Sequence, residues 1–195
     1  KPKLFRKRQK EIKYSIDSWK GNFYIHTNLH AEDFKICICK HRNIKIWKDF
    51  IPATNGVLIG GFSFLKEWII RSEIRDALSK IYIRNLNTNL EKELIITKEK
   101  VISSGYALMQ KNRNTNKIYV SYNSPKTPGN TYSYNIKTKE KKLIKKEIIP
   151  SGHNSENYIV ERLNCNSHDG RKIPLTITRH KKTKLNGNAN ILLYG

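Results

Sequence analysis

Residues 22–47 read NFYIHTNLHAEDFKICICKHRNIKIW, and this stretch decides the fold. Phe23 and Ile25 fall on one side of a period-two pattern. Phe34, Ile36 and Ile38 then alternate with Lys35, Cys37 and Cys39, and Ile44 and Ile46 flank Lys45. Apolar residues at every second position mark strands with one face turned to a core. Polar residues separate the three runs, so antiparallel strands joined by short turns are predicted.

The same rhythm recurs downstream. Trp68–Arg71, Ile81–Ile83 and Leu94–Ile96 form a second group, and Ile118–Val120, Tyr132–Tyr134 and Leu143–Lys145 a third. Strands are predicted over 22–27, 33–39, 43–47, 57–64, 66–72, 80–86, 103–110, 117–123, 131–136 and 142–148. Helical propensity is confined to 90–100, where Pro and Gly are absent but the apolar pattern is poor. Four-stranded units repeating at roughly 45 residues favour a β-propeller over a sandwich. The fold class is therefore mainly all-β, a partial propeller of about three four-stranded blades. Three blades are too few to close a ring.

The last segment reads differently. From Asn157 onward a strand, a charged turn at Ser167–Gly170, a second strand, a polar loop and a third apolar strand at Ile191–Tyr194 are predicted. A buried strand needs neighbours or a covered edge, so the sequence is expected to be a fragment.

Composition bounds the function. Hydrophobic residues make up 37%, which supports only a lean core, and no apolar run is long enough for a membrane helix. The sequence starts at Lys1 without an apolar signal core, and with three cysteines a reducing, cytoplasmic setting is expected. Cys37 and Cys39 are too poorly placed along one strand to pair. The formal net charge is +22, from 38 Lys and Arg against 16 Asp and Glu. That balance suits a nucleic-acid-binding β module, the alternative from another functional class. However, the charge is spread along the chain and is mostly Lys, and only residues 1–13 form a dense cluster. Solvated surface is the better reading.

Candidate chemistry is sparse. Cys37, Cys39 and His41 share one strand face, but a structural zinc site wants four ligands and no second Cys/His pair is near in sequence. His26, His30, His153, His168 and His180 are scattered among turns, and His168-Asp169 belongs to a turn where Asp and Gly serve the backbone. Ser103-Ser104-Gly105 and Gly61-Phe62-Ser63 lack the glycines of a nucleophile elbow. Gly60-Gly61 suggests a strand kink or bulge rather than a phosphate loop. No catalytic residue, cofactor or metal is expected.

Several strings occur in an order that resembles the oligopeptidase B (protease II) branch of the prolyl oligopeptidase family. They are Phe23–Asn28 with Asp33-Phe34-Lys35, Tyr119–Pro128, Tyr158–Leu163, His168-Asp169-Gly170 with Ile173-Pro174-Leu175, and Leu192–Gly195. The resemblance implies a seven-bladed propeller capping an α/β-hydrolase domain with a Ser-Asp-His triad, cutting short peptides after Arg or Lys. It implies that residues up to about Pro150 are the last blades, Ser151–Asn157 the hinge, and Tyr158 onward the first hydrolase strands. The triad would then lie beyond Gly195, so no activity of the chain alone is expected. Implied partners are short basic peptides in a complete enzyme, or a separate hydrolase-domain chain completing a split peptidase.

Overall fold

The computed structural model describes residues 4–101, 104–108 and 111–194. Strands β1 (Tyr14–Trp19), β2 (Asn22–Thr27), β3 (Lys35–Lys40) and β4 (Asn43–Ile51) form the first antiparallel sheet, in that spatial order. β5 (Val57–Leu65), β6 (Trp68–Arg75), β7 (Leu78–Asn85) and β8 (Glu91–Glu93) form the second. β9 (Ser104–Leu108), β10 (Lys117–Asn123), β11 (Asn130–Asn135) and β12 (Lys141–Lys146) form the third. A hairpin of β13 (Tyr158–Asn166) and β14 (Lys172–His180) follows as a separate two-stranded sheet. Three four-stranded meanders in chain order are blades 1, 2 and 3 of a partial β-propeller.

Period-two alternation explains the stacking. Ile69 and Ile70 are consecutive on β6, so their side chains point to opposite faces. Ile69 joins Tyr24, Ile36, Ile51, Ile59 and Phe64 in the core between blades 1 and 2. Ile70 joins Ile81, Ile83, Ile118, Val120 and Tyr134 between blades 2 and 3. A blade between two others is covered on both faces, and β6 buries Ile69 on one and Ile70 on the other. On blade 1, Ile25, Cys37 and Cys39 form a third cluster on the other face of β2 and β3, packed by Phe5, Tyr14, Phe23 and Trp47.

Most predicted strands are observed, with shifted ends. β6 runs on to Arg75 and β4 to Ile51, beyond the predicted 72 and 47, because ladder pairing continues where the side chains turn charged. β1 was not expected; its Tyr14, Ile16 and Trp19 give a broken alternation, and its pairing with β2 supplies the order. Of the predicted strand 103–110, residues 103, 109 and 110 lie outside the described residues.

Two segments differ from the sequence reading. The strand read at Leu94–Ile96 is instead Glu91–Glu93 (β8), and extended chain rather than helix follows it, with Leu94 and Ile96 both buried in the blade 2–3 core. Residues two apart face one side only in an extended chain; a helix would turn them apart. Nor is Ile191–Tyr194 a strand: these residues have no ladder partner and are 84–95% exposed. An apolar run without a neighbouring strand has nothing to satisfy its backbone or cover its side chains.

Candidate functional site

The residues singled out from the sequence are mostly held by packing. Cys37 lies buried, and its Sγ donates to Asp49 Oδ1 at 3.5 Å. Burial pushes its thiol up to about 11 despite the nearby Lys35. All three cysteines are free thiols. His41 packs against the Phe23 ring at 4.1 Å, with Nε2 3.1 Å from Ser18 Oγ. That Ser–His contact was not legible in the sequence, where the two are 23 residues apart. No carboxylate orients the His41 ring among the described residues, so the pair lacks the third member of a nucleophilic triad. No three His, Cys, Asp or Glu residues come together as a metal site among the described residues.

His26 stacks on Phe34 at 4.6 Å and hydrogen-bonds through Nε2 to the Ile59 carbonyl at 2.8 Å. Burial lowers its pKa, partly offset by that bond, which keeps it a neutral spacer between blades 1 and 2. His30 sits at φ 54° in a turn, and His168 Nδ1 lies 3.4 Å from Oγ of its neighbour Ser167. Ser104 and Gly105 lie in β9, and Gly60-Gly61 falls where the β5–β6 register shifts between Ile59 and Phe62, a bulge as expected. Ser103 is outside the described residues.

Two scattered histidines flank one tyrosine ring. His153 stacks on Tyr158 at 5.3 Å, and His180 abuts the same ring edge-on at 5.6 Å. The β13–β14 register places Tyr158 opposite His180. His153 Nε2 also bonds the Lys126 carbonyl at 2.7 Å, tying the segment before β13 back to blade 3.

This tie borders a groove where blade 2, blade 3 and the hairpin converge. Three adjoining clefts of about 350, 470 and 570 Å³ share Glu99 as a wall. The sequence string Ser124–Thr127 closes a tight turn by reciprocal backbone bonds of 3.0 and 3.2 Å. The turn aims Thr127 Oγ1 at Glu99 Oε1, 2.6 Å away. The middle cleft is floored by Tyr122 and Tyr132, stacked at 5.8 Å, beside Asn130. Burial, with Tyr122 close by, raises the Tyr132 phenol, so it stays neutral. Asn130 is 6% exposed and its Oδ1 has no hydrogen-bond partner. Nothing in the local pattern marked Glu99 or Asn130; only the stacking of two blades brings them to one cleft.

The arrangement of blades agrees with known proteins. A family model described as "Prolyl oligopeptidase, N-terminal beta-propeller domain" matches residues 1–147. Dipeptidyl aminopeptidase BI of Pseudoxanthomonas mexicana is 28% identical over 191 residues, covering 96% of this chain and 26% of that protein. Protease 2 of Moraxella lacunata is 20% identical over 192 residues, covering 98% and 27%. Oligopeptidase B from Trypanosoma brucei, solved with covalently bound antipain, superposes with a TM-score of 0.81 at 23% identity, over 93% of this chain and 27% of that one. The chain spans about a quarter of the length of these relatives. With sheet order, inter-blade cores and a match over three quarters of its length in agreement, the chain belongs to the prolyl oligopeptidase N-terminal β-propeller domain family.

Proposed function

We propose that this chain is part of the cap of an oligopeptidase B-like serine endopeptidase that cleaves short peptides after basic residues. Residues 1–150 supply propeller blades that narrow substrate entry. Residues 151–195 supply the hinge and the first strands of a hydrolase domain. The observation that carries this reading is the β13–β14 hairpin, which pairs with no blade and leaves Leu163, Ile173, Leu175 and Ile177 exposed. Such a row of apolar side chains on a bare hairpin is a surface that further chain must cover. Peptide hydrolysis needs a nucleophile, a base and oxyanion donors in one constellation, and no residue of this chain is assigned to any of these roles. The three free thiols suit a reducing compartment such as the cytoplasm.

The same exposed face also fits a split enzyme, in which a separate hydrolase-domain chain docks on the hairpin. One assay tests both forms. The purified chain is given an Arg-ended chromogenic peptide, alone and mixed with the hydrolase domain of a protease 2-type relative. No turnover alone, and turnover of the peptide but not of a compact folded protein such as ribonuclease A in the mixture, is the expected result. Turnover by the chain alone after contaminating proteases are removed overturns the assignment.

A further inference from the structure

We propose that the cleft of about 470 Å³ on blade 3 is a guanidinium site that takes an arginine side chain of a peptide. The proposal rests on the peptidase reading for the ligand's owner, and places a contact for a basic peptide on the cap itself. The cleft lies within the size range of small-ligand sites, about 300–1,000 Å³.

Its acceptors set the ligand class. Asn130 Oδ1 is a buried acceptor left without a donor, and an unmet buried polar atom is costly unless something fills the need. Glu99 and Glu147 bring two carboxylates to the same lining, in a chain whose net charge is +22. Glu99 Oε1 accepts from Thr127, and Glu147 Oε2 accepts from the Gly129 amide at 2.9 Å. Each carboxylate offers about four lone-pair sites, so both retain capacity. An anion would meet two negative groups here, and a neutral apolar ligand would leave Asn130 unmet.

The floor favours a planar cation. Tyr122 and Tyr132 stack, and the Lys141 ammonium already lies 5.4 Å from the Tyr132 ring centroid. That ammonium is engaged, donating to the Ile96 carbonyl at 2.6 Å, and does not line the cleft. A β-bulge between Thr131 and Tyr132 sets Lys146 opposite Asn130, so one cation also borders the cleft. Lys146 is exposed on a flexible stem and can turn to water when a guanidinium enters. A guanidinium suits the site better than an ammonium, because its fork of donors reaches separated acceptors in one plane.

The test is a two-dimensional amide NMR titration of the full chain with N-acetyl-arginine amide, alongside the neutral isostere N-acetyl-citrulline amide. The expected result is that arginine amide moves the Asn130 side-chain amide signals, while citrulline amide binds about tenfold more weakly. Glu99→Gln should weaken arginine binding by a similar factor, and Asn130→Asp should tighten it. Equal binding of the two probes, an unmoved Asn130 amide, or unchanged affinity in Glu99→Gln overturns the proposal. The wild-type titration stands even if a variant fails to fold. No turnover is read, so failure here is distinct from failure of the peptidase assay.

Discussion

Glu73 is buried between two arginines on the face of β6 that looks toward blade 1. Arg71 Nε donates to its Oε1 at 2.7 Å and Arg75 Nε to its Oε2 at 2.7 Å. Arg71 also holds Glu91 of β8 through a bidentate pair, and its guanidinium lies 4.8 Å from the Tyr82 ring. Removing one member of a buried pair leaves the other charge unmet, so Glu73→Ala should cost about 3 kcal/mol in urea unfolding. Burial pushes the Glu91 carboxyl up, but the Arg71 hydrogen bond and charge bring it below its usual value; Lys35 likewise holds Asp49 low. A folded-state pKa below the unfolded one adds stability that is present above the unfolded value. Stability should therefore fall as pH drops below about 4, and urea midpoints from pH 7 to pH 3 check this. Cys37, raised by burial, should react with a disulfide reagent at pH 8 far more slowly than Cys165, which is only partly buried. Phe5→Ala should speed that reaction by uncovering the cluster. None of this was visible one residue at a time, since Arg71 and Glu73 read as surface charges until the alternation of β6 is set against a neighbouring blade.

Elements were the most legible scale. β2 and β10 match their predicted bounds, and the Ser167–Gly170 turn closes the β13–β14 hairpin with Gly170 at φ +80°. That left-handed conformation is one glycine adopts without strain, which is why His168-Asp169-Gly170 announced a turn. Gly60 shows a second use of glycine. A Cβ there would lie 2.6 Å from Ser72 Oγ and 3.3 Å from the Ser72 carbonyl oxygen, across the β5–β6 bulge. Gly60→Ala should therefore destabilise by about 1–3 kcal/mol, as overpacking does. Ser72→Ala in the same chain should recover part of the loss, because only the hydroxyl is the closest contact. Parallel chemical denaturation of the two variants and wild type checks both steps. What failed at this scale were segments whose state depends on neighbours. The strand read at Leu94–Ile96 ends earlier, at Glu93, while Leu94 and Ile96 are buried against blade 3, and Ile191–Tyr194 formed no strand because none lies beside it.

Across the molecule, three blades hold an arc without closing a ring. Arg113, in the β9–β10 connection of blade 3, reaches blade 1, donating to Asp17 Oδ1 at 3.1 Å. Its carbonyl accepts from the Lys66 amide of blade 2 at 2.9 Å, and the Lys66 carbonyl accepts from Trp19 Nε1 at 3.0 Å. The three blades thus share one junction. Arg113→Ala should raise amide exchange at 17–19 while leaving the β6 core protected, and hydrogen exchange read by mass spectrometry checks this. The sequence by itself determined most of the strands, the three-blade repeat and the separate hairpin, because each rests on local alternation and turn chemistry. Only the tertiary structure decided which charges are buried, that His153 and His180 flank Tyr158, and that Glu99, Asn130 and His153 share a cleft. Those facts depend on how one sheet face lies on the next, and a period of two says that a face exists without saying what covers it.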